Sequence, residues 1–220
     1  MSGMPILSLI TFLPLLGAIS VALLPSSRPG LLRGTALAVA LATFALSLVM
    51  MLGIDVRGSE FSLTEQVSWI PAFGITYHLG VDGLSAALVV LTTLLSWICI
   101  LASFGPIKTR VKEYFISFLI LETGMLGVFL SLDLFLFYIF WEIVLVPMYL
   151  IIGIWGGAER IYATVKFVLY TLVGSLLMLV AMLATAFSHQ VATGSWTGAF
   201  DLIALRGTVT DPTLQLVAFS

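Results

Sequence analysis

A single glutamate, Glu142, stands inside the run FYIFWEIVLVPMYLIIGIWGG at residues 137–157. Phe, Ile, Val and Leu surround it, and a carboxylate in such company is costly to keep. Tyr138 comes four residues before it and Tyr149 seven after, spacings that place all three on one face of a helix. Pro147, five residues on, removes the backbone hydrogen bond to the carbonyl of Ile143 and can bend the helix there. The freed carbonyl and the bend give water or a polar side chain a place beside the acid. The next apolar run repeats the pattern, with Tyr162, Lys166, Tyr170 and Gly174 at spacings of four. Glu122 stands ten residues after Lys112 in a further apolar run, and Asp82, Ser85, Thr92, Ser96 and Cys99 form a stripe in another. Acids and a base interleaved with hydroxyls are groups that take up, hold and release protons.

The elements that position these residues follow from composition. Of 220 residues, 60% are hydrophobic and 9% charged, with mean hydropathy +1.18. Soluble domains carry about 25% charged residues, so the chain reads as an all-α integral membrane protein whose surroundings are the lipid bilayer. A net charge of −2 without a basic patch gives no sign of nucleic-acid binding. The single cysteine, Cys99, excludes a disulfide framework within the chain, and His78 and His189 are too far apart for a sequence-local metal motif. No Lys or Arg precedes the first apolar run, so it reads as a retained helix rather than a cleaved leader.

A membrane span needs about 20 mostly apolar residues. Six segments qualify, at 5–24, 31–53, 82–104, 112–131, 133–154 and 161–188, and a seventh begins at Leu214. The loops after helices 1, 3 and 5 hold Arg28, Arg33, Lys108, Arg110, Lys112 and Arg160. Those after helices 2, 4 and 6 hold only Arg57 and Arg206, and gather Asp55, Glu60, Glu65, Asp82, Asp133, Asp201 and Asp211. Positive charge stays inside, so the odd loops are expected in the cytoplasm and the N-terminus in the periplasm.

Glu142 lies nine residues after Asp133, about 13 Å along a helix and near the middle of a hydrocarbon layer about 30 Å thick. An ionised carboxylate there costs at least about 2.5–3.5 kcal/mol, and a protonated one costs less, so the residue is suited to holding a proton. Each polar residue also has a plainer reading. Thr92 and Ser96 are the kind of small residue that packs helices together. Lys166 is near enough to the cytoplasmic surface to snorkel. Glu122 could be a static partner for a buried cation. Several helices are expected to aim these polar stripes at a common interior.

The segments SLDLFLFYIFWEIVLVPMYLIIGIWGG and ERIYATVKFVLYTLVGSLLMLVAML, with VDGLSAALVVLTTL before them, strongly resemble the antiporter-like subunits of complex I, the proton-pumping NADH-quinone oxidoreductase. Sodium/proton antiporters of the Mrp type share much of this pattern. The resemblance implies a fold of about fourteen helices containing two inverted repeats of about five helices each. Residues 1–111 would hold helices 1–3, and 112–220 helices 4–6 with the start of helix 7, part of the first repeat. Glu142 matches the family's proton-channel acid, whose lysine partner sits on helix 7, and the sequence ends at Ser220 just as that helix would begin. The chain therefore reads as a fragment. Lys166 and Glu122 match polar positions common in bacterial members, as possible relay groups, with Pro147, Tyr138, Tyr149 and Tyr170 in support. The implied function is proton translocation in a bacterial inner membrane, coupled to quinone reduction elsewhere in the complex. No cofactor is expected in this chain. Flavin, iron–sulfur clusters and quinone would belong to partner subunits, and the direct partners would be other membrane-arm subunits. The alternatives are an Mrp-type antiporter subunit and a structural scaffold.

Overall fold

In lipid a backbone must satisfy its own amides, and for apolar runs of this length the helix does so. The computed structural model describes residues 5–54 and 61–206. It contains six helices long and apolar enough to cross a membrane: α1 (Ile6–Leu23), α2 (Pro29–Leu52), α3 (Gly83–Ala102), α4 (Val111–Leu130), α5 (Leu134–Trp155) and α6 (Arg160–Thr193). The chain is a multi-pass membrane protein. The spans agree with those expected, although α6 runs five residues further, to Thr193. Asp55, Arg57, Glu60, Asp211 and the expected seventh span from Leu214 lie outside the described residues.

Helix α4 is the centre of the bundle. It packs against α1, α2, α3 and α5, while α6 packs mainly on α5. Buried residues make up 61% of the α4 span and 6% of the α6 span. Two larger apolar clusters lie near the two ends of the helices, and a third, of Ile75, Ala186, Ala199 and Phe200, ties α6 to the hairpin end. Leu7, Ile10, Leu79, Val89, Leu126, Leu136 and Phe140 form the first, and Val21, Leu32, Ile100, Phe115 and Leu119 belong to the second.

The chain between α2 and α3 is not a plain loop. Strands β1 (Leu63–Ile70) and β2 (Ile75–Val81) form an antiparallel hairpin, joined by a 3₁₀ turn at Pro71–Phe73 and by Gly74 at φ +66°. The alternation in ITYHLGV and the Pro-to-Gly turn before it are sequence signals for this hairpin, weaker than those of the helical runs on either side. The segment 131–134 continues the hairpin: Leu79 and Ser131 form a β-bridge, and Leu132 N donates to His78 O at 2.8 Å. Asp133 and Asp201 bridge in turn, just ahead of the short helix α7 (Leu202–Leu205). All described acids of the even loops therefore collect at this hairpin end, and Arg28, Arg33, Lys108, Arg110, Lys112 and Arg160 at the opposite, basic end.

The hairpin also caps α1. Pro5 precedes that helix without a side-chain cap, which would leave its first amides unpaired. Glu65 on β1 supplies the acceptors: Oε1 takes Leu7 N at 2.7 Å, and Oε2 takes Ser8 N at 3.1 Å and Ser8 Oγ at 2.5 Å. Tyr77 on β2 joins them, its hydroxyl 2.7 Å from Ser8 Oγ. Burial pushes the Tyr77 phenol above its ordinary range. Replacing Glu65 by Ala leaves two amides without their acceptor and should cost about 1.5–3 kcal/mol. Thermal unfolding in detergent should register the loss, and amide exchange at Leu7 and Ser8 should quicken. Unchanged exchange at both would show that Glu65 does not cap α1.

Candidate functional site: two buried acids

Helices α4 and α5 run antiparallel, and each carries one acid. Glu122 is eight residues from the hairpin end of α4, and Glu142 eight residues from the hairpin end of α5. Each is therefore about 12 Å in from the end of its own helix. Their closeness in depth depends on small residues. A methyl group on Gly124 would sit 2.7 Å from Val144 Cγ2, and one on Gly127 would overlap the Phe140 ring.

The acids face different neighbours. Glu142 is half-buried, and its Oε1 is enclosed without a hydrogen-bond partner. Tyr138, one turn nearer the hairpin end, interacts both with Glu142 and with Ser175 of α6. Ser175 is a site residue that the sequence did not single out; its position opposite α5 is visible only once α5 and α6 are packed. Glu122 is fully buried, neither of its oxygens has a hydrogen-bond partner, and the polar side chain interacting with it is Ser96 of α3.

The other expected residues are placed as follows. Helix α5 continues unbroken through Pro147, which is buried. Tyr149 is 48% exposed, on the outer surface of the described bundle. Lys166 is exposed, with its Nζ 5.8 Å from the centre of the Tyr162 ring, and Tyr170 is 84% exposed. Lys166 is six residues from the basic end of α6 and Glu142 thirteen from that of α5, so Lys166 sits about 10 Å nearer the basic end. Among the described residues the polar stripes do not share one interior. The α6 stripe points away from α5, because α6 uses Thr164, Ser175 and Ala186 as its buried contacts. On α3, Cys99 is exposed, and the buried hydroxyls are Thr93 and Ser96 rather than Thr92 and Ser96. Asp82 is not part of a stripe but the α3 N-cap, in a capping box with Ser85. The Ser85 amide holds its carboxyl below the usual range.

A second polar cluster closes the hairpin end. His78 Nδ1 lies 2.8 Å from Asp201 Oδ2, an ion pair when the imidazole is protonated. Asp133 caps α5 through Phe135 N and Leu136 N and also accepts from Thr76 N and Thr76 Oγ1. Burial pushes the Asp133 carboxyl above its ordinary value despite these four donors. The His78–Asp201 pair spans 123 positions, and no local motif announces it.

The sequence and the fold have counterparts among known proteins. The family model described as NADH-ubiquinone oxidoreductase chain 4, amino terminus, matches residues 9–132, and that described as NADH:quinone oxidoreductase/Mrp antiporter, TM, matches 131–205. Subunit M of the NADH-quinone oxidoreductase of Rhodobacter capsulatus is 51% identical over 183 residues, covering 81% of this chain and 35% of that protein. The chain belongs to the subunit M and chain 4 family. NADH-ubiquinone oxidoreductase chain 4 of Arabidopsis thaliana is 46% identical, covering 79% of this chain and 35% of that one. A chain of respiratory complex I from Thermus thermophilus superposes with a TM-score of 0.79 at 29% identity, over 97% of this chain and 41% of that one. The Mrp complex from Dietzia sp. shares the fold, with a TM-score of 0.76 at 21% identity over 96% of this chain and 22% of its own. The chain thus spans about a third of the curated relatives' length.

The α4–α5 contact gives a direct test of how the acids are positioned. Gly127→Ala should overpack against the buried Phe140 and cost about 1–3 kcal/mol. Gly157→Ala, which meets nothing nearby, should be close to neutral. Equal thermal midpoints for the two variants in detergent would show that α4 and α5 do not depend on this approach.

Proposed function

We propose that the chain is the amino-terminal part of a proton-translocating subunit in the membrane arm of an NADH-quinone oxidoreductase. The observation that carries this is Glu142, a membrane-embedded acid with an enclosed, unpartnered oxygen, linked through Tyr138 to the neighbouring helix. Such a group is expensive as a carboxylate and inexpensive as an acid, so its environment decides whether it keeps its proton. In the family's fold the partner is a lysine on helix 7, whose ammonium would offset the cost of the carboxylate in lipid when the two are close. Movement or discharge of that lysine would load and unload Glu142. Lys166 and the exposed Tyr162–Tyr170 face of α6 would meet later helices of the same protein. Residues 112–220 would begin the first of two inverted repeats, with 1–111 ahead of them.

Redox chemistry belongs, on this reading, to partner subunits that carry the flavin, iron–sulfur clusters and quinone, and this subunit contributes no redox group. Its membrane is the bacterial inner membrane. The basic end faces the cytoplasm and the hairpin end the periplasm, a reading supported by the Lys/Arg bias. The family model over residues 131–205 names Mrp antiporters as well as quinone oxidoreductases, which keeps a sodium/proton antiporter subunit as the second reading; co-purification with redox subunits separates the two.

Orientation is tested by single cysteines placed at Lys108 and Ser195 in a Cys99→Ala background. A membrane-impermeant reagent added outside should modify position 195 and spare 108, and the opposite result would reverse the topology. For the relay, Glu142→Gln keeps shape and removes the titration. Proton uptake into vesicles, normalised to assembled complex, should fall by about a hundredfold, while Glu142→Asp keeps part of it. Normal uptake by a fully assembled Gln variant would leave Glu142 as a structural residue.

A further inference from the structure

We propose that Glu122 is a second proton-holding site, separate from Glu142 and reached from the hairpin end along a row of buried hydroxyls on α3 and α2. This rests on the proton-translocating reading above. Glu122 is 0% exposed, and both of its oxygens lack hydrogen-bond partners. An ionised carboxylate would need charge-assisted bonds or a cation to persist there, and neither is present among the described residues. The acid form needs only somewhere to pass its proton, and Ser96 on α3 is beside it.

From Ser96 the hydroxyls continue. Thr93 lies one turn nearer the hairpin end on the same face of α3, fully buried, and its Oγ1 is 2.8 Å from Oγ of Ser47 on α2, also fully buried. Ser47 is five residues from the end of α2, about 7.5 Å along the helix. Ordinary helix packing explains a buried Ser or Thr bonded to its own backbone, as Ser47 is to Phe44 O and Thr93 to Val89 O. It does not explain a wholly buried acid at the inner end of the row whose polar neighbour is a single hydroxyl, Ser96. The α4–α5 pair separates the two acids, since Glu122 faces α3 while Glu142 faces the Tyr138–Ser175 contact with α6.

Transfer needs no heavy-atom bond to form or break. Glu122 gives its proton to Ser96 Oγ as Ser96 hands its own hydroxyl hydrogen to a water bridging the turn to Thr93. That water passes one hydrogen to Thr93 Oγ1, Thr93 passes its own to Ser47 Oγ, and Ser47 releases one to a water that would enter beside it from the end of α2. Every hydroxyl and the bridging water regain their hydrogens, Glu122 is left as a carboxylate, and one proton has moved.

The test uses the complete assembled complex. Infrared spectra should contain a protonated-carboxyl stretch that disappears in Glu122→Gln and persists in Glu142→Gln. Thr93→Val keeps the side-chain shape while breaking the row. It should retain that stretch, slow its exchange in deuterium oxide by about tenfold, and lower coupled proton uptake by a similar factor. Ser47→Ala should act in the same direction. If Glu122→Gln fails to assemble, Thr93→Val and Ser47→Ala decide the matter, because neither alters the acid. Wild-type exchange and uptake in both hydroxyl variants would overturn the proposal. Normal uptake in Glu142→Gln together with slowed uptake in Thr93→Val would overturn the Glu142 relay and leave the Glu122 row standing.

Discussion

The close approach of α4 to α5 is the contact on which the rest of this bundle depends. Gly124 and Gly127 remove the side chains that would hold the helices apart, and Val144 and Phe140 fill the space. In lipid there is no hydrophobic force to press helices together, so close fit must supply the attraction. The same contact sets the acids at neighbouring depths, Glu122 about one turn deeper than Glu142, and turns them to opposite sides. Glu122 is enclosed because α4 is surrounded by α1, α2, α3 and α5; Glu142 is half-buried because α5 has only α6 beyond it.

The two ends of the bundle solve the problem of unpaired helix termini with opposite charges. At the hairpin end, Asp82, Asp133 and Asp201 cap α3, α5 and α7, and Glu65 caps α1 across a gap of nearly sixty residues. Negative groups are favourable at helix starts. At the basic end, Lys112 donates to Leu24 O beyond α1, and Arg160 to Ile154 O near the end of α5. The charge asymmetry that orients a membrane chain thus also completes its backbone hydrogen bonding. Depth modulates the result. Asp82, near the surface, is held below the usual carboxylate range, whereas the enclosed Asp133 is pushed above it.

Six spans and the membrane class could be read from apolar length alone, because bilayer thickness sets the minimum length of a span; the end of α6 could not, since that helix runs on past its apolar stretch to Thr193. The depth of Glu142 and its shared face with Tyr138 followed from helical spacing, which does not depend on partners. Which way a helix turns its polar face does depend on them. Lys166 and Tyr170 point away from α5, and Thr93 rather than Thr92 meets Ser47, because neighbouring helices select one of two adjacent faces. The hairpin is faint in the sequence for a different reason. Its strands are short, and β1 is largely exposed, so its alternation carries little apolar contrast. The joining of His78 to Asp201 is a tertiary event with no local trace.

Helix α6 has 34 residues, about 51 Å of helix against a hydrocarbon layer of about 30 Å. Such an excess is taken up by tilt or by extension beyond the bilayer. Its contact with Tyr138 is at Ser175, fifteen residues from one end and eighteen from the other. Its buried residues Thr164, Ser175 and Ala186 recur every eleven residues, about three turns of helix, so one line along the rod docks it at three depths. Lys166 and His189 are carried on that one stiff element, and a shift of the helix along its axis would move both together.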